Sequence, residues 1–258
     1  MSDTPFPTQT EQMTWLHHVL ELRNRIIKSV LFVLTLFTGL AFYANEIYAQ
    51  LADPLLRYMP TGSQMIAIEV ASPFLIPFKL AFLTAVLVSV PFLLYQAWSF
   101  IAPGLHRHEK RQFFPLLLIS TLLFYLGLAF GYFAVFPVIF GFMTTAAPQG
   151  VAMMTDIGHY LDFVMSMLVA FGAVFEVPIF TLLLVKSGMV EYHSLKDKRG
   201  YVIVAAFIIG AVLTPPDVIS QTLMAVPIWL LFEVGVVWAY FATTKSRTAA
   251  ELSTTPES

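Results

Sequence analysis

The sequence predicts an all-α, polytopic membrane protein: six transmembrane helices in a concave bundle, with both termini on the cytoplasmic side. Three observations carry that reading. The 258-residue chain is 58% hydrophobic and 12% charged, with a mean hydropathy of +0.76, where a soluble domain carries roughly 25% charged residues. The apolar residues gather into six runs, at 26–43, 74–100, 113–136, 159–185, 201–213 and 219–242, most of them long enough to cross a bilayer. Nearly all the Lys and Arg fall in alternate connections, which is the bias that retains a loop in the cytoplasm.

Taken in order, residues 1–25 form a cytoplasmic segment ending in the cluster Arg23, Arg25 and Lys28. That cluster precedes an apolar run as in a signal peptide, but no small-residue cleavage pattern follows Tyr43, so the first run is expected to be an uncleaved anchor. In the first outer connection, Tyr48, Leu51 and Leu55 share one helical face, predicting a segment lying flat at the membrane interface. The second run carries Lys79 near its outer end, where the long stem is expected to snorkel to the headgroups. Arg107, Lys110 and Arg111 mark the next connection as cytoplasmic. The third run contains Gly127-x-x-x-Gly131, a spacing that permits close helix contact. The fourth holds Glu176 beside Pro178, and the fifth, 201–213, is the shortest. The sixth contains Glu233 and ends at 242; the polar stretch 243–258 reads as a disordered cytoplasmic tail. Prolines at 77, 91, 115, 137, 178 and 227 lie in or at the ends of runs, and bent helices favour a concave bundle over a straight one. Residues 26–242 therefore form one six-helix domain in a bacterial inner membrane.

Composition excludes several functions. The chain has no cysteine, and hence no disulfide, thiolate metal site or cysteine nucleophile. A formal net charge of -2 without a dense basic patch gives no nucleic-acid footprint. No phosphate loop, nucleophile elbow or His-Glu-x-x-His motif occurs. The adjacent or alternating histidines His17, His18, His106 and His108 do not share a helix face, so neither metal nor cofactor is assigned. The reading is a receptor and scaffold rather than an enzyme; the rival, a small-solute secondary transporter, predicts internal repeats that are not visible.

Six segments, in order and at matching topological depth, resemble the TatC family over most of the chain, from about residue 17 to 233. They are HVLELRNR at 18–25, SPFLIPFK at 72–79, SFIAPGLHRHEKR at 99–111, FYLG at 124–127 with Tyr132, Phe133, Phe136 and Pro137, FEVP at 175–178, and LTPPDVISQ at 213–221 with LFE at 231–233. The resemblance implies a receptor that binds twin-arginine signal peptides of folded precursors at its cytoplasmic face. It further implies a homo-oligomeric receptor complex, the single-span partners TatA and TatB, and export driven by the proton-motive force.

Glu21 and Glu109 match family positions at the cytoplasmic rim and are the acids assigned to the two signal arginines. A guanidinium meets a carboxylate in a bidentate fork that an ammonium cannot reproduce. Local pairing is the competing account, since Glu21 and Arg25 are spaced i,i+4 and Glu109 is flanked by Arg107, Lys110 and Arg111. Leu22, Arg23 and Phe100 belong to the same segments and are expected to shape the site, with Arg23 orienting an acid. Glu176 and Glu233 each lie ten or so residues into a run, about 15 Å deep, and are read as an intramembrane polar lining that receives a polar segment of partner or substrate, or as proton-exchanging groups. A purely structural role for Glu176 would be a bond to the Val174 carbonyl freed by Pro178. Asp217 reads as a helix N-cap, and Pro54 with it as a structural position. The resemblance places Thr214 and Gln221 where partner helices dock, although Ala211 stands where a larger residue such as Met is expected.

Overall fold

In the computed structural model the backbone is described for residues 9–58, 65–101, 113–145, 154–214 and 218–253, and every element named is a helix. Glu109 and Asp217 lie outside the described residues. Helix α1 (Gln9–Leu40) runs through a single 3-10 turn, Ala41–Tyr43, into α2 (Ala44–Tyr58). Then come α3 (Ser72–Ile101), α4 (Phe113–Phe130), α5 (Phe136–Thr145), α6 (Ile157–Phe175), α7 (Val177–Lys186), α8 (Tyr192–Asp197), α9 (Arg199–Leu213) and α10 (Val218–Ser253). Five segments are long and apolar enough to cross a membrane, Val19–Asp53, Ser72–Phe100, Phe114–Met143, Ile157–Lys186 and Val218–Phe241, while the apolar helix Arg199–Leu213 is shorter.

Several details depart from the sequence reading. Residues 9–25 continue α1 rather than forming a separate segment, and α10 extends to Ser253 instead of ending at 242. The reason is local: 243–253 contains Ala, Lys, Arg, Glu and Leu but neither Gly nor Pro, so nothing stops the helix. The third run is one rod interrupted by a π-helical turn, Gly131–Val135, between α4 and α5. Pro137 lacks the N–H that would bond the Phe133 carbonyl, and the widened turn accommodates the mismatch. The fourth run is two helices, because Pro178 near the start of α7 cannot extend α6. At the break the Glu176 amide bonds the Ala173 carbonyl at 3.1 Å and its own carbonyl accepts from the Phe180 amide at 2.9 Å.

The connection after the first run forms a helix, as its periodicity predicts, and that helix is fastened to the bundle. Tyr132 donates to the Gln50 carbonyl at 2.9 Å and Tyr160 to the Leu51 carbonyl at 3.1 Å, while Ala52 is wholly buried. Pro54 lies within α2. The half-exposed Lys79, expected to snorkel, has its ammonium paired with Asp162 of α6. Residues 65–71 are stitched to the start of α6 by Ile66, whose amide bonds the Thr155 carbonyl at 3.0 Å and whose carbonyl accepts from Ile157 at 2.9 Å. Asp156 closes that junction, its carboxylate accepting from the amides of Ile68 (3.1 Å), Gly158 (3.1 Å) and His159 (3.0 Å).

The core has two parts. At the end bearing α2, Leu80, Phe136, Ile139, Phe140, Leu161, Phe171 and Met224 are buried together. At the opposite end Trp98, Leu116, Ile179, Leu182, Leu195, Phe232 and Val236 form a second cluster. Close approach depends on glycine. A Cβ at Gly127 would stand 2.5 Å from the Phe171 carbonyl oxygen, and one at Gly172 would stand 2.5 Å from the Phe124 ring, so α4 and α6 interlock. Gly235 does the same for α10 against α7, 2.9 Å from the Pro178 backbone.

Candidate functional site

The end of the bundle bearing the second cluster is the basic one: α1 brings Arg23, Arg25 and Lys28 there, α7 brings Lys186, and the segment before α9 brings Lys196 and Lys198. An acid stands among these cations. Glu21 Oε1 accepts from Arg25 Nε at 3.0 Å and from Nη2 at 2.6 Å. Arg25 also reaches across to the last turns of α3, where Nη1 donates to Gln96 Oε1 at 3.2 Å and Nη2 to the Ser99 carbonyl at 3.1 Å. That carbonyl is one of the final four of α3 and has no intrahelical donor, so the guanidinium caps the negative end of the helix.

Beside this cluster a cavity of about 320 Å³ opens between α1 and α3, lined by Leu22, Arg25, Ile26, Leu93, Ala97 and Phe100 among others. Three of the residues predicted for the site, Glu21, Leu22 and Phe100, are thus brought together at one rim. Arg23 is not part of it. Its guanidinium faces Asn24, at 3.3 Å from Oδ1, and the arginine that orients the acid is Arg25, four residues on and therefore on the same helix face. The i,i+4 spacing signalled the Glu21 pair; no sequence signal pointed to Gln96 or the Ser99 carbonyl, which lie more than seventy positions away.

Each intramembrane acid has a partner of its own. Glu176, at the α6–α7 break, accepts a hydrogen bond through Oε2 from Ser120 of α4. Its other oxygen, Oε1, is buried and has no hydrogen-bond partner among the described residues. The partner is therefore Ser120 and not the Val174 carbonyl. Glu233 of α10 is paired with Arg199, the first residue of α9, at 2.6 Å. Asp162, close to the start of α6, is a third acid within an apolar run, and its partner Lys79 accounts for it.

At the α9–α10 junction Thr214 is buried, its hydroxyl donating to the Gly210 carbonyl at 2.8 Å. Gln221 donates to the Phe207 carbonyl at 3.0 Å. The two stand on facing helices, with Gly210 backing onto Gln221. At the same end of the bundle a larger cavity, about 930 Å³, lies under α2 and is lined by Gln50, Asp53, Arg57, Thr84, Leu128, Tyr132 and Phe133 among others. Among the described residues no group of three or more His, Asp or Glu converges on a metal-sized site.

Five long apolar segments and a sixth, shorter apolar helix, with an arginine-clamped acid at a basic rim, define a multi-pass membrane protein. The chain belongs to the TatC family: the model of that family, the Sec-independent protein translocase protein TatC, matches residues 17–227. It is 54% identical over 233 residues to a Sec-independent protein translocase protein TatC of Azotobacter chroococcum mcd 1, covering 90% of this chain and 91% of the relative. The corresponding protein of Escherichia coli K12 is 49% identical over 234 residues, 91% of each chain. A crystal structure of a twin arginine translocase receptor, TatC, superposes with a TM-score of 0.79 at 38% identity, over 88% of this chain and 99% of that one.

Proposed function

We propose that this chain is the signal-recognising receptor and core scaffold of a twin-arginine translocase in a bacterial inner membrane. It binds twin-arginine signal peptides of folded precursors at its basic, cytoplasmic end, and both termini lie on that side. Single-span TatA and TatB subunits assemble on it, with the Thr214 and Gln221 face as their docking region, several copies form the receptor complex, and the proton-motive force drives export. It carries out no catalysis of its own.

The observation that carries this reading is the acid Glu21 held at a basic rim beside the cavity of Leu22 and Phe100. A carboxylate set among cations is an unusual place for a positively charged ligand to bind, and it suits a segment that presents arginine where lysine-bearing segments are turned away. Arginine spreads its charge over a planar fork of donors, whereas lysine is a compact, strongly hydrated point charge that costs more to desolvate at such a rim. Glu109, on the connection after α3, supplies the second acid.

The test is binding of a twin-arginine signal peptide to the detergent-purified protein. Glu21→Gln and Glu109→Gln should each weaken it by about 1–3 kcal/mol, the scale of a charge-assisted hydrogen bond, with folding retained. A cycle pairing either change with Arg→Lys in the peptide should be non-additive. Strict additivity at both acids would remove recognition from this rim.

A further inference from the structure

We propose that the large cavity under α2 seats one phospholipid with a zwitterionic ethanolamine headgroup, its hydrocarbon lying along the groove and its headgroup against Asp53 and Arg57. The cavity shares no lining residue with the one beside Glu21, so it stands apart from signal recognition. Its volume, about 930 Å³, is at the upper end of the roughly 300–1,000 Å³ of small-molecule sites.

The lining is graded along the helix axes. At the mouth, on α2, Arg57 and Asp53 form an ion pair at 2.7 Å whose side chains are 73% and 43% exposed. The floor is made by Thr84 of α3, Leu128 of α4 and Leu168 of α6. At 1.5 Å per residue, Thr84 and Leu168 lie roughly 16–18 Å from the starts of their helices. That is the depth of one leaflet, half of a hydrocarbon core of about 30 Å. The hydroxyls in this lining are committed to backbone: Thr84 donates to the Leu80 carbonyl and Tyr132 to the Gln50 carbonyl, each at 2.9 Å. Such a floor offers water few partners and suits a hydrocarbon chain.

The same geometry selects among occupants. A crossing helix from another subunit needs the full membrane thickness, whereas α2 closes this groove at its end, held there by Tyr132 and Tyr160. A lipid needs only one leaflet. The rim then selects the headgroup, because a carboxylate beside a guanidinium matches an ammonium beside a phosphate. An anionic headgroup would meet repulsion from Asp53, and a quaternary ammonium has no N–H to donate to it.

The experiment strips the full-length protein of lipid in maltoside detergent, adds ethanolamine, choline or glycerol phospholipids of matched chains, and reads retained adducts by native mass spectrometry. One ethanolamine lipid should be retained per chain, about tenfold more strongly than either of the others, the scale of one charge-assisted hydrogen bond. Asp53→Asn should level the ethanolamine and choline lipids, and Arg57→Gln should weaken all three. Ala129→Trp sets an indole in the cavity and should remove the retained lipid while the unfolding midpoint holds; if that protein does not fold, Thr84→Met makes the same test with a smaller, flexible side chain. Retention without headgroup preference, or equal displacement by the detergent itself, would mark an adventitious amphiphile only and overturn the proposal. So would an Ala129→Trp protein that keeps its lipid. If Ala129→Trp instead dissociates an oligomer with lipid retention unchanged, the groove seats another copy of the chain and the lipid reading fails.

Discussion

At the scale of single residues, the buried polar groups carry the sharpest expectations. Ser120 is wholly buried and donates to Glu176, so Ser120→Ala deletes a donor and leaves a buried carboxyl without it. The expected loss is about 1–3 kcal/mol of stability, read from thermal or denaturant unfolding in detergent, whereas Glu176→Gln keeps a group that can still accept from Ser120 and should cost less. Asp156 behaves differently because its carboxylate is fixed by three backbone amides at the junction before α6. Its carboxyl is held below the ordinary range, first by the amide of His159 and then by that of Ile68, with the His159 ring adding to both. A depressed carboxylate stabilises the fold above its unfolded pKa, and that contribution disappears as pH falls through the lower folded value. Exchange of the Ile68, Gly158 and His159 amides, corrected for intrinsic rate, should therefore accelerate only below the usual carboxylate range; constant protection there would show that the carboxylate does not hold the junction. At this scale the sequence was legible where partners are close along the chain. Glu21 with Arg25 follows from spacing alone, but Ser120 with Glu176, Lys79 with Asp162 and Arg199 with Glu233 join residues that only the packed bundle brings together.

Elements were legible from hydropathy, and their interruptions from proline, though not the form each interruption takes. Pro178 announces a disturbance, but the sequence does not say that the run divides into α6 and α7 rather than kinking. Pro137 is absorbed by a π-helical turn, a response that periodicity cannot anticipate because it adds a residue to one turn. Glycine gives the complementary test. Gly127→Ala would set a methyl 2.5 Å from the Phe171 carbonyl oxygen, and forcing α4 from α6 should cost about 1–3 kcal/mol. Gly39→Ala meets nothing within 4 Å and removes a helix-interior glycine, so it should be stabilising by about 0.5–1 kcal/mol. Unfolding midpoints of the two variants moving in opposite directions would confirm the assignment; the same direction would mean that α4 and α6 do not touch through Gly127.

For the whole molecule, the six apolar runs were legible because hydropathy is a one-dimensional property, and the structure has five segments long enough to cross a membrane and a sixth, shorter apolar helix; which connections share a side is an expectation from the Lys/Arg bias. Single cysteines at His108 and Gly62, introduced into a chain that has none of its own, should label from opposite faces with an impermeant thiol reagent; labelling from one face would refute the six-crossing arrangement. The fifth apolar run, expected to cross, presents a length problem. Arg199–Leu213 has 15 residues, about 22 Å of helix against a hydrocarbon core of about 30 Å. Lipid beside α9 should therefore be thinned, and depth-dependent quenching of probes along 202–213 should report a shallower bilayer than probes on α3; equal depths would dismiss the idea.

The interlock of α4 and α6 also bears on how such a chain can change over generations. Phe124 occupies the space that a side chain at position 172 would need, whereas the space beside position 127 is closed by the Phe171 backbone carbonyl, which no substitution at 171 removes. Enlarging Gly172 alone produces a collision, and shrinking Phe124 alone opens a void. The route between two workable packings of that pair therefore passes through a worse intermediate: Gly172 is free to become larger only in a lineage where Phe124 has already become smaller.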